Sequence, residues 1–536
     1  MVLTHSKTKH GCGTSPQKGV LKMKRFFGAF SAALIAANLA IPTFASAKTK
    51  TVFETVGYRG DVDGSMTVDV GDVQICRDYL ISGDSKAITT DFFDTGSDGL
   101  LDIFDLVKTR RIANNFDSAD PIVNAQEVED KFIEPIITPV THSMPSKGEA
   151  REVFFYVDFP DCHFTYEPSL DLIRKILFGQ CDETDPMYPL ESINAFYQRA
   201  SKGELSISGE VFRYTASHEK SYYESDRRII IKECLDAFDD VIDFTQFDSD
   251  KNGEIDAVFV SLPKAADASN FSGATQDFNR PQFTYDGLTV GKEVLGNSEI
   301  LGQNNYTKFF RTIMHETGHT LGIPDYYLFN SDSQDGFRGN AGSDIMDREV
   351  YCDFDCFSKL MLGWYRESEV QFFDGSQDEQ MFTLGNAQSD DSNCVIIPYG
   401  DFNGDYFSEY LIMEYTSIGG NNKYLYDKLR KTYPIDAGVR IFHVYAPLND
   451  KTQWVNFKYK NNSEYRKNRD DGYRLMRLVG EGDGGNVLKT GDIVSYGKTS
   501  GFGWYDENQQ ETVDPKVEIE VGKLENDQYT VTVRKK

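Results

Sequence analysis

The chain is short of histidine, of positive charge and of long apolar runs. Only eight histidines stand among its 536 residues, so any close pair of them is worth reading for chemistry. Lysine and arginine number 56 against 84 acidic residues, for a net charge of -28. That balance repels nucleic acid and anionic membrane surfaces and leaves calcium and cationic surfaces as better partners. Cysteine is sparse, with no CxxC pair of the zinc-ribbon kind. In an exported protein Cys162 could bridge Cys181, or Cys352 could bridge Cys356, and seven free thiols after Cys12 are an equal alternative. One apolar run is long: Phe26 to Phe44, preceded by Lys22, Lys24 and Arg25 and followed by Ala45-Ser46-Ala47. Basic flank, apolar centre and small-residue site describe a cleaved secretory leader over 1–47, with Met23 as a candidate start and a membrane anchor as the alternative. The mature protein is therefore expected outside the cytoplasm, with no membrane contact after cleavage.

A chain of this length predicts several folding units. Residues 55–117 hold two similar acidic loops, each followed by a short amphipathic helix. Residues 118–149 carry Pro121, Pro135, Pro139 and Pro145 without sustained periodicity and read as a linker. From Arg151 an apolar strand, Val153 to Val157, opens an alternation of helix and strand patterns through about residue 365. A domain over 150–446 is expected, taking in the strand patterns at Tyr410–Glu414 and Val439–Val444, and 447–536 reads as a further, mainly β, region. The fold class is thus multidomain: a small all-α calcium-binding unit, an α/β (α+β) domain, and a β-rich C-terminal region.

His315-Glu316-Thr317-Gly318-His319 carries the sharpest signal. Apolar residues at Phe310, Ile313, Met314 and Leu321 give the segment helical spacing, and residues four apart on a helix stack one turn over the other. Both imidazoles can then reach one zinc ion, with Glu316 beside them as general base toward a water nucleophile. Gly322 tolerates the left-handed conformation that ends a helix and turns the chain back, which aims Asp325 at the same point. No histidine follows His319 until His443, so a carboxylate is the economical third ligand. The competing reading of a bare HExxH is an amphipathic surface helix with two solvated histidines.

Taken together these residues resemble the M6 (immune inhibitor A type) metallopeptidases, with the HExxHxxGxxD form of the motif. The likeness extends to Glu152–Asp161, to Ser192–Tyr197 and Lys202–Gly209, and to Phe357–Trp364, Tyr410–Tyr415 and Gly438–Val444, in family order over roughly residues 150 to 535. Ser343-Asp344-Ile345-Met346-Asp347 resembles the methionine turn beneath the zinc of metzincins, with Met346 as its methionine. The resemblance implies a metzincin-like zinc endopeptidase with His315, His319 and Asp325 as ligands and Glu316 as base. Two departures stand out: Tyr415 and Thr416 occupy the place of a basic residue near Glu414, and no inhibitory cysteine is evident.

Three loops have calcium spacing. Asp248, Asp250, Asn252 and Asp256 fill positions 1, 3, 5 and 9 of an EF-hand-like loop with Gly253 at the sharp turn. Position 12 there is Phe259, so the loop runs into a strand and a remaining ligand has to come from elsewhere. Asp61, Asp63, Ser65, Asp69 and Asp72 fill positions 1, 3, 5, 9 and 12 of a second loop, and Asp94, Asp98, Asp102 and Asp105 fill 1, 5, 9 and 12 of a third, where Gly96 offers no side chain. The duplicated loop and helix resemble a dockerin, the module that docks enzymes onto cohesin-bearing bacterial scaffolds. That resemblance implies two calcium ions here, a cohesin partner, and a cohesin contact at positions 10 and 11: Val70, Gly71, Ile103 and Phe104.

The expected function is a secreted zinc endopeptidase acting on proteins or peptides and tethered to a cellulosome-like cell-surface complex. The alternatives are an inactive peptidase fold serving as scaffold or adhesin, and a zinc hydrolase of cell-wall peptides. A base at Glu316 favours an enzyme, because a purely structural zinc site has no use for one.

Overall fold

Aspartates organise the N-terminal helices. In the computed structural model, which describes residues 48–83, 90–137, 143–264, 274–277, 282–296, 298–327, 342–347, 350–400, 402–429, 436–449, 457–461, 472–480 and 487–536, strand β1 (Thr49–Tyr58) leads into helix α1 (Val70–Ser82) and then α2 (Ile103–Ala113). The expected leader lies outside the described residues. Asp69 and Asp102 cap the two helices, each accepting from a backbone N–H two residues on, while Asp72 and Asp105 bond back to the cap N–H. Such caps contribute about 1 kcal/mol each. Val62, Cys76 and Phe93 are the only fully buried apolar side chains of this small core among the described residues.

The segment read as a linker is largely structured. Strand β2 (Pro121–Glu129) pairs antiparallel with β1, from Thr49 opposite Glu129 to Tyr58 opposite Pro121, so the unit of paired loops and helices is not purely helical. Pro121 is the first strand residue, where its missing N–H does no harm. The chain then straps onto the following domain: Ile133 N–H donates to the Tyr365 carbonyl, Ile136 and Ile137 to that of Met361, and Ser143 and Met144 to that of Thr320. Because β2 is exposed on both faces, it has no apolar alternation to betray it.

β3 (Gly148–Asp158) lies inside the sheet of the next layer and is buried from Glu152 to Val157. After α3 (Leu170–Phe178) and α4 (Ile193–Ala200), capped by Ser169 and Ser192, β4 (Leu205–Thr215) pairs parallel to it. Helix α5 (Arg228–Phe238), strand β5 (Glu254–Ile255), strand β6 (Ala257–Ser261) and strand β7 (Ala274–Asp277) follow. A hairpin of β8 (Thr284–Tyr285) and β9 (Leu288–Val290) then leads to β10 (Lys292–Gly296). The sheet order is β4-β3-β6-β10-β7, parallel except for the antiparallel outer strand β7. Side chains alternate across β3: Val153, Phe155 and Val157 join the core under α5, while Phe154 and Tyr156 face the core shared with α6 (Thr307–Thr320) and α7 (Cys356–Met361).

A boundary near 446 does not match the β architecture. β11 (Val370–Phe372), β12 (Glu379–Gly385), β13 (Cys394–Pro398), β14 (Glu409–Thr416), β15 (Gly438–Tyr445), β16 (Met476–Leu478), β17 (Ile493–Ser495), β18 (Val517–Glu525) and β19 (Gln528–Lys535) form two sheets, ordered β11-β13-β14-β15-β16 and β12-β19-β18-β17. Both sheets draw strands from either side of residue 446. The first sheet is covered on both faces: Ile396, Ile412 and Phe442 join the core of α6, and Val395, Leu411 and Ile441 meet Ile519 and Val531 of the second sheet. The seven cysteines among the described residues are free thiols, so of the two alternatives left open by the sequence neither bridge, Cys162–Cys181 or Cys352–Cys356, is formed.

Candidate metal centre

Helix α6 begins without a side-chain cap and is held by its buried face of Phe309, Phe310, Ile313 and Met314. The Tyr197 hydroxyl donates to the Met314 carbonyl at 2.7 Å and ties α4 to the helix one residue before the motif. At the other end Gly322 has φ +97°, and Ile323 N–H bonds back to the Gly318 carbonyl at 3.1 Å. This left-handed turn reverses the chain so that Asp325 faces the helix it has just left. His315 Nε2 lies 3.0 Å and His319 Nε2 3.2 Å from Asp325 Oδ1. These three side chains are one of the groups of converging ligand atoms among the described residues.

Each imidazole is oriented from behind. His315 Nδ1 donates to the Ile345 carbonyl at 2.9 Å and His319 Nδ1 to that of Ile323 at 2.8 Å, which leaves both Nε2 atoms turned toward Asp325. Burial opposes charge here, yet pairing with Asp325 outweighs it and pushes His315 up to about 9, while the two imidazoles hold Asp325 well below the usual carboxylate range. Two imidazole nitrogens and a carboxylate oxygen form the donor set that zinc takes in catalytic sites, so the residues fit the metal that the sequence motif implies.

Met346 is fully buried against Gly318, where an added Cβ would lie 2.5 Å from the methionine sulfur. Gly318 thus lets the Ser343–Asp347 turn approach the helix between the two histidines. Asp344 holds that turn, accepting from Met346 N–H, Asp355 N–H and the Ser358 hydroxyl. Glu316 is 6% exposed, and its Oε2 accepts from the Thr275 hydroxyl at 2.7 Å. Neither Thr275 nor Tyr197 was a candidate from sequence. Thr275 stands in a stretch of small polar residues with no periodicity.

The three acidic loops share a backbone geometry. Positions 4 and 6 are left-handed in all: Gly64 and Met66, Ser97 and Gly99, Lys251 and Gly253, with φ from +57° to +90°. The position 1 carboxylate accepts the N–H groups of positions 5 and 6 in each: Asp61 from Ser65 and Met66, Asp94 from Asp98 and Gly99, Asp248 from Asn252 and Gly253. Asp61, Asp63 and Asp72 converge, as do Asp248, Asp250 and Asp256. Asp94, Asp98 and Asp105 form no such tight group among the described residues, but they surround the place a Cβ on Gly96 would take, at 3.5 to 3.9 Å. Ser65 bonds within the first loop to Asp61 and the Thr67 carbonyl, whereas Asp69 and Asp102 serve as helix caps. In the third loop Asp256 accepts Ser249 N–H at 3.0 Å, as Asp72 accepts Val62 N–H at 2.8 Å, so position 9 takes over a contact that position 12 makes elsewhere. Burial pushes Asp256 up to about 6.

No family model and no curated protein matches this chain. What these sites do therefore rests on their own geometry and on general chemistry.

Proposed function

We propose that the chain is a zinc endopeptidase. The observation that carries this reading is the meeting of His315, His319 and Asp325 at one point with Glu316 next to the first histidine on the same helix. His315 Nε2, His319 Nε2 and Asp325 Oδ1 would hold the metal, the Nδ1 bonds to Ile345 and Ile323 fixing the rings. Bound there, zinc supplies a Lewis acid that polarises the scissile carbonyl and activates water near neutral pH. Glu316 takes the proton from the attacking water and passes it to the leaving amine. β7 is the outer strand of its sheet among the described residues and lies beside α6, so a substrate in extended form can add to it as a further strand and present its peptide bond to the site.

The same reading includes export by the leader and tethering through the two N-terminal loops, which hold calcium and order a unit with little core of its own. Val70, Ile103 and Phe104 are exposed at 77%, 56% and 77%, as apolar residues that meet a cohesin should be. The third loop holds a structural calcium within the peptidase region. Casein cleavage by the wild type and by Glu316→Ala, with zinc content measured in both, tests the enzyme: loss of about 100-fold or more in kcat with zinc retained is expected. Equal rates would refute the mechanism. Capture by a cohesin that is abolished by a calcium chelator is the expected result for the tether, and capture indifferent to chelation counts against it.

A further inference from the structure

We infer that Thr275 is a positioning residue for Glu316 and that it couples peptide pairing on β7 to the orientation of the base, an inference that rests on the peptidase reading. Glu316 extends from α6 on three rotatable bonds, and a carboxylate works as a base only where one oxygen is within hydrogen-bond reach of the proton it removes. Its Oε2 is held by the Thr275 hydroxyl at 2.7 Å, and the same hydroxyl lies 3.1 Å from the Glu316 carbonyl. A hydroxyl has one proton to give. The shorter, charge-assisted contact to the carboxylate takes it, and the carbonyl shares that proton only as the longer branch. Threonine suits this place because its branched Cβ stiffens χ1 on a strand.

The position of Thr275 in the fold adds the coupling. It pairs with Val294 of β10 from the outer strand β7, so among the described residues one side of the strand is anchored in the sheet and the other is the edge a peptide would extend. A peptide paired there restrains the Thr275 backbone and, through the hydroxyl, the carboxylate. Oε2 is thereby occupied and Oε1 is the oxygen assigned to the water.

Thr275→Val keeps the shape and removes the hydroxyl; Thr275→Ser keeps the hydroxyl and removes the methyl. With a peptide substrate, T275V is expected to lower kcat about tenfold with KM within about twofold, and T275S to restore kcat to within about threefold of wild type. In a Glu316→Gln background T275V should add no further loss, because the two residues act as one unit. Zinc content and thermal midpoint are measured for every protein. Overturning results are a T275V kcat within twofold of wild type, T275S falling as far as T275V, multiplicative loss in the double variant, or loss of zinc or of thermal midpoint in T275V, which would make its role structural. Wild type whose cleavage does not depend on Glu316 removes the peptidase reading itself, whereas Glu316-dependent cleavage with an unaltered T275V removes only Thr275.

Discussion

Glu152 lies fully buried in β3 with neither carboxylate oxygen hydrogen-bonded. Burial, with a smaller contribution from Asp256, pushes its carboxyl up to about 8, against about 4.3 in an unfolded chain. The folded state therefore holds a proton that the unfolded state releases between those two values, and stability falls as pH rises through that window. Glu152→Gln keeps the volume and cannot ionise, so its thermal midpoint should drop less than that of wild type between pH 5 and pH 9 and exceed it at pH 9. Equal drops in the two proteins would contradict this account. At this scale the candidate metal ligands His315, His319 and Asp325 and the proposed base Glu316 were legible because they lie within one helix and the turn after it, where spacing alone sets direction. Thr275 was not, since it reaches Glu316 from a strand 41 residues away in sequence.

The acidic loops show what an element can and cannot reveal of itself. Caps at Asp69 and Asp102, and glycines such as Gly99 and Gly253 at the sharp turn, are local requirements written in local residues. The roles within each loop are less local: Asp256 takes a contact expected of position 12 only because β5 and β6 follow directly in place of a helix. Loop by loop, the geometry predicts unequal calcium affinity, because Asp61, Asp63 and Asp72 converge while Gly96 leaves the second loop one ligand short. Calorimetric titration of the full chain should show the tighter N-terminal site weakened about tenfold or more by Asp63→Ala. Gly96→Asp should tighten the weaker one, its Cβ meeting Asp105 at an ordinary 3.5 Å. A Gly96→Asp protein with unchanged calorimetry would show that the second loop takes no ion.

Across the whole molecule, the described parts of the strap, 131–137 and 143–147, pack as part of the α/β domain. Met144 is fully buried and Ile137 nearly so, the Trp364 indole donates to the Ser146 carbonyl, and the Lys147 ammonium bonds the Ile133 carbonyl. A chain beginning at Gly148 should therefore melt about 2 °C or more below one beginning at Lys131, since burial of Met144 alone is worth about 1.5–3 kcal/mol. Equal midpoints would return the strap to the status of a linker. The ribbon of β1 and β2 is stitched to the same region, with Lys50 paired to Glu367 and the Ser368 hydroxyl donating to Asp130.

By itself the sequence determined what depends on neighbours along the chain: helix caps, the facing of His315 and His319, the turn at Gly322, and the loops whose acidic residues lie within a dozen positions. Only the tertiary structure decided what depends on distant segments meeting. Residues 121–129 form a strand because 49–58 lie beside them, not because of any pattern of their own. β14 and β15 are buried on both faces, so they carry no alternation from which a sandwich crossing residue 446 could be read. The environment of Glu316 belongs to the same class, for a helix can place a base but only a neighbouring strand can hold it in one orientation.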